Sequence, residues 1–82
     1  MYNTIFYERL QALKQSEKYP EDAISQMEKI ISENNGKPPR KFFLDGLGRR
    51  TISNLLSDLD IKCFDIFAPN GAESSLREIV LL

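Results

Sequence analysis

Between residues 49 and 59 the apolar and polar side chains separate by helical phase. At about 100° per residue, Ile52, Leu55, Leu56 and Leu59 fall on one face, and Arg50, Ser53, Asn54 and Ser57 fall on the opposite one. Arg49 and Thr51 flank the start. Gly46-Leu47-Gly48 stands immediately before as a tight turn. The spacing therefore predicts a short amphipathic helix fed by a glycine turn.

Upstream, Tyr2, Ile5, Phe6, Leu10 and Leu13 recur at steps of three and four, which predicts a first helix over residues 2–17. Arg9 lies inside that stripe, so its guanidinium must snorkel or find a carboxylate. Tyr19-Pro20 ends the segment, because the residue before proline is pushed out of the helical region. Pro20 suits the first position of a second helix, and Glu21 and Asp22 favour its positive N-terminal end. Over residues 20–34 that helix carries Ala23, Ile24, Met27, Ile30 and Ile31 on one face, and Asn34-Asn35-Gly36 closes it with a left-handed glycine cap. Lys37-Pro38-Pro39 is a short stiff connection. Phe42, Phe43 and Leu44 are assigned to a third short helix over Pro39–Asp45, terminated by Gly46. After Asp60 the period changes. The branched and aromatic run Ile61–Phe67 favours a strand, Asn70-Gly71 marks a turn, and Ser74–Leu82 reads as the returning strand. The expected class is mostly α with a C-terminal β-hairpin.

Eighty-two residues, 41% apolar and 28% charged, suit one small globular domain spanning 1–82. No run approaches the ~20 apolar residues of a membrane span, and Met1-Tyr2-Asn3-Thr4 lacks a signal-peptide layout; a cytoplasmic protein is expected. With one cysteine and no histidine, an internal disulfide is impossible and a zinc site is not expected. No cofactor-binding glycine loop and no histidine base are present, and the carboxylates are dispersed, so catalysis is not expected. Cys63 sits in an apolar run, which favours an inert buried thiol over a nucleophile.

The formal net charge is −1, but its distribution is uneven. Residues 1–36 carry four basic and six acidic side chains (−2), residues 37–62 six and three (+3), and residues 63–82 one and three (−2). Positive charge thus gathers around the glycine turn, where it can steer a polyanion even on a near-neutral chain.

From the second helix onward, about residues 21–82, the chain resembles the winged helix-turn-helix family. Gly46 stands where that family places its turn glycine, with Leu47 as the apolar turn residue. Ile52 and Leu55 follow six and nine residues later, at positions the family buries. Asp60-Ile61-Lys62-Cys63-Phe64 resembles the exit from the recognition helix into the wing, with Asn70-Gly71 as the wing tip. Phe42 replaces the family's usual small residue four positions before the glycine, and Lys41 and Asp45 stand where apolar residues are usual.

The resemblance implies a winged helix-turn-helix core over 19–82, preceded by an extra N-terminal helix over 1–18. It also implies a small regulator of bacterial, phage or plasmid type that binds duplex DNA sequence-specifically. The helix at about 49–59 would enter the major groove, with Arg50 and Asn54 placed for bidentate base contacts and Ser53 and Ser57 for less discriminating ones. Arg49, Thr51 and the adjacent amides would hold a phosphate. Arg40, Lys41 and Lys62 would neutralise backbone, and Asn70 would touch it from the wing. Two features stay open. The stripe Tyr2, Ile5, Phe6, Leu10 and Leu13 fits either a seat on its own domain or a homodimer contact. The apolar Phe64, Ile66 and Phe67 fit either a covered hairpin or a protein-binding module with no affinity for DNA.

Overall fold

The computed structural model describes residues 3–82. Among these residues, three helices and three strands follow in the order α1 (Ile5–Ser16), α2 (Glu21–Ser32), β1 (Lys41–Asp45), α3 (Arg49–Asp58), β2 (Cys63–Phe67) and β3 (Leu76–Leu81). The class is mixed α and β, with a C-terminal antiparallel hairpin as expected. No helix among the described residues is long and apolar enough to cross a membrane. The chain divides into two units, one ending at Pro39 and the other Arg40–Leu82.

In the first unit α1 and α2 pack on one another. Leu10 of α1 and Ala23, Ile24, Met27 and Ile31 of α2 are buried. Within the apolar stripe of α1, Phe6 and Leu13 are half-buried and Ile5 is exposed; Tyr2 lies outside the described residues. Arg9 lays its guanidinium over the Phe6 ring, 5.4 Å from the centroid. Pro20 caps α2 in an extended conformation, one position earlier than expected. At the other end of α2, Asn35 (φ 58°) takes the left-handed conformation ahead of Gly36 (φ 85°). The Gly36 N–H reaches back to the Ile31 carbonyl at 3.0 Å.

The second unit is a three-stranded antiparallel sheet in the order β1-β3-β2. Its first strand corrects the expectation of a helix over Pro39–Asp45. Lys41–Asp45 is extended and alternates strictly, with Phe42 and Leu44 buried and Lys41, Phe43 and Asp45 exposed. Three consecutive apolar residues in so short a segment suit a helical turn or a strand equally. The pairing of Phe42 with Ile79 and Leu44 with Arg77 on β3 decides it, because a helix would leave that edge of β3 unbonded. Gly46-Leu47-Gly48 therefore turns a strand into a helix, and no two-helix crossing forms around it. Gly46 adopts φ 76°, a conformation other residues reach only with strain.

The apolar face of α3 forms as its spacing predicts: Ile52, Leu55, Leu56 and the following Leu59 are at most 1% exposed. They share a core with Phe42, Leu44, Ile66 and Ile79 from the sheet. Helix α3 closes in a Schellman motif, in which Asp60 N–H donates to Ser57 (3.0 Å) and Ile61 N–H to Leu56 (2.9 Å). Asp60 occupies the left-handed position at φ 58°, where glycine carries no Cβ penalty. Asp60→Gly is expected to raise stability by about 0.5–1 kcal/mol, read as a higher urea midpoint at unchanged slope.

The hairpin between β2 and β3 is longer than a two-residue turn. Residues 68–75 connect the strands through two successive turns. In the first, the Gly71 N–H donates to the Ala68 carbonyl at 3.1 Å, which sets Pro69 and Asn70 at the two central positions. At the far end the Gly46 N–H bonds the Ser75 carbonyl at 3.2 Å and the Ser75 hydroxyl bonds Asp45.

Candidate nucleic-acid interface on helix α3

Burial of Ile52, Leu55 and Leu56 forces the opposite side of α3 outward. Arg50, Ser53, Asn54 and Ser57 are all exposed, and Thr51 is half-buried on the flank. Arg50 and Asn54 are four apart and lie one above the other, presenting a guanidinium fork and an amide on neighbouring turns. Ser53 and Ser57 line an open groove of about 240 Å³ together with Lys62 and Cys63. Asp60 also lines that groove, so a negative charge sits beside Lys62.

Arg49 has a different role from its neighbour. Its Nη1 donates to the Ile66 carbonyl at 3.0 Å and its Nη2 to Asp65 Oδ1, also at 3.0 Å. The same carboxylate oxygen accepts the Ile66 N–H at 2.8 Å. The guanidinium therefore fastens the first turn of α3 to β2, which orients the helix on the sheet. Its charge is spent on Asp65, so Arg49 adds little to any positive potential in front of α3. No sequence signal announces this pair, because its partners are sixteen and seventeen residues apart.

The remaining basic positions do not converge on α3. Lys41 alternates with Phe42 and Leu44, so it projects from the sheet face opposite the one that holds the core, and its Nζ stands 3.9 Å from Glu78. Arg40 is exposed just ahead of β1, and Asn70 is exposed in the hairpin loop. The structure thus groups Arg50, Ser53, Asn54, Ser57 and Lys62 around one helix and its exit. It separates Lys41 from them and engages Arg49.

Residues without a distinctive sequence pattern form a second feature. On the outer sheet face Phe43 and Phe67 both register against Glu78 of β3, forming a row across all three strands, and they are 48% and 40% exposed. Phe64, at a bulge in β2 between Cys63 and Asp65, is 64% exposed. Alternation along Lys41–Asp45 would have revealed the Phe43 side of this row only had the segment been read as a strand.

Cys63 is half-buried, and its Sγ lies 3.5 Å from the Asp65 carbonyl and 3.7 Å from that of Val80. Burial, and then the Asp65 carboxylate, push its pKa above the ordinary thiol value, with Arg49 opposing. A raised pKa favours the protonated thiol, which is the poorer nucleophile. Two measurable results follow. Cys63 is expected to alkylate more slowly than a free thiol at pH 8. Because the folded state holds this proton more tightly than the unfolded one, its contribution to stability is complete below the unfolded thiol pKa. That contribution is lost as pH rises through the folded value. Denaturant titrations across pH 7.5–10, with Cys63→Ala as the reference that lacks this slope, check the sign.

Among the described residues no group of three or more His, Cys, Asp or Glu side chains is arranged to hold a metal ion. Comparison of the chain with protein-family models, with curated proteins and with solved structures gives no match.

Proposed function

We propose that this chain binds duplex DNA through α3, as a small winged-helix-type regulator in which a strand stands ahead of the glycine turn. One observation carries the reading: Arg50, Ser53, Asn54 and Ser57 are exposed together on the side of α3 opposite its buried residues. A guanidinium and an amide on adjacent turns of a rigidly seated helix suit bidentate contacts to guanine and adenine edges. The two serines bond phosphate or base edges with less discrimination, and Lys62 at the helix exit neutralises backbone. The loop carrying Asn70 follows as the wing. Arg49 is assigned to orienting α3 rather than to phosphate, since Asp65 and the Ile66 carbonyl hold it.

Fluorescence anisotropy with a mixed-sequence duplex at low salt tests this directly. The full chain is expected to bind, Arg50→Ala/Asn54→Ala to lose most of that binding, and Arg49→Ala to retain it if the fold is intact by circular dichroism. Absence of binding by the unaltered chain at about 50 mM salt overturns the proposal. A protein partner is the second reading, favoured by the exposure of Phe64 and by the neutralisation of Arg49.

A further inference from the structure

Strand β1 lies at one edge of the sheet, with β3 on one side and, among the described residues, no strand on the other. The Arg40 carbonyl accepts the Leu81 N–H at 2.8 Å, and the Gly46 N–H donates to the Ser75 carbonyl at 3.2 Å. Even-numbered residues of the segment therefore bond to β3. By the alternation of an antiparallel ladder, the backbone groups of Lys41 and Phe43 point away from the sheet. Their side chains stand on the outer face, exposed, together with that of Asp45. An edge of this kind is a template for another strand unless something opposes pairing.

The order of side chains on β1 makes it its own complement. When Lys-Phe-Phe-Leu-Asp is laid antiparallel to a second copy about Phe43, Lys41 falls opposite the partner's Asp45, Asp45 opposite the partner's Lys41, and Phe43 opposite the partner's Phe43. On the other face Phe42 meets the partner's Leu44. Alignments shifted by two residues set Phe43 against a charge, and those shifted by four set like charges against each other. Charges at the two ends of an edge strand usually guard it against pairing. Here the same charges reject wrong registers and accept one.

We infer that β1 is the contact for a second copy of this chain, through antiparallel pairing centred on Phe43. The contact is isologous, with a two-fold axis at Phe43. It joins the two sheets into one of six strands in the order β2-β3-β1-β1-β3-β2. Both α3 helices then lie on the same face, and the Phe43 and Phe67 rows of the two copies run together on the other. Glu78, now 3.9 Å from Lys41, shares that lysine with the partner's Asp45. Asp45 also accepts the Ser75 hydroxyl. The inference holds whatever α3 binds.

Sedimentation equilibrium of the full chain, at loading concentrations from about 10 μM to 1 mM, spans the weak association that a short edge smaller than a standard interface gives. The unaltered chain is expected to show a monomer–dimer equilibrium. Lys41→Asp and Asp45→Lys, each alone, set like charges opposite one another twice per dimer and are expected to weaken association at least about tenfold. An equimolar mixture of the two variants restores both ion pairs and is expected to recover dimer. That recovery also shows that each variant is folded. The inference is overturned if the unaltered chain stays monomeric throughout. It is equally overturned if a dimer forms whose strength neither variant alters, or if mixing restores nothing while both variants keep the parent circular dichroism.

Discussion

Replacing Leu55 with alanine is expected to cost about 2–5 kcal/mol, enough to unfold most of the population of so small a unit. Leu55 is fully buried at the centre of the apolar face of α3, between Ile52 and Leu59, which are also fully buried. The second unit has a single helix to cover its sheet. Removing three carbons there therefore leaves a cavity that no neighbouring helix of the unit can relax to fill. Total stabilities of small domains are of the same order as that loss. Urea denaturation followed by circular dichroism reads it as a collapse of the transition midpoint, and Leu55→Met, which keeps the volume, is expected to cost less than ~1.5 kcal/mol. A cost below ~1 kcal/mol for Leu55→Ala would mean that α3 contributes little to the fold of this unit, contrary to the burial of its apolar face.

The second large effect is on DNA affinity. With Arg50 and Lys62 as the two cations grouped at α3, the slope of log K against log salt is expected to be about −1.8, at roughly −0.9 per neutralised phosphate. Raising salt from about 50 to 200 mM then weakens binding roughly 12-fold. Arg50→Ala should reduce the slope by about 0.9 and, where Arg50 contacts a base, also flatten the preference among duplexes. Arg49→Ala should leave the slope unchanged, because its charge is already paired with Asp65. Its cost falls on the seating of α3, and an exposed ion pair of that kind contributes about 0.2–1 kcal/mol. The two adjacent arginines therefore separate cleanly in one experiment. A shallower slope for Arg49→Ala than for Arg50→Ala would reverse the assignment of roles.

Much of the architecture was legible in short-range chemistry. Helix α3 is set by a helical period across Ile52, Leu55, Leu56 and Leu59, and any packing that buries those four exposes Arg50, Ser53, Asn54 and Ser57. Pro20, Gly36 and Gly46 mark their breaks because backbone conformation at proline and glycine is decided within one or two residues. The hairpin was legible for the same reason, through branched and aromatic runs on either side of Asn70-Gly71. Segment 41–45 was not. A run of Phe-Phe-Leu is too short for its period to distinguish helix from strand, and the deciding partner, β3, lies more than thirty residues downstream.

Tertiary pairing also settled the electrostatics. Counting charges made Arg49 and Arg50 equivalent, and Lys41 part of the same positive cluster. Fold topology brings Asp65 to Arg49 and leaves Arg50 exposed, and strand alternation turns Lys41 to the face away from the core. Local sequence determines which residues share a face, because that depends only on the period of one element. Which face meets which, and which charge is neutralised, depends on contacts between residues far apart in the chain, and only the folded sheet brings those together.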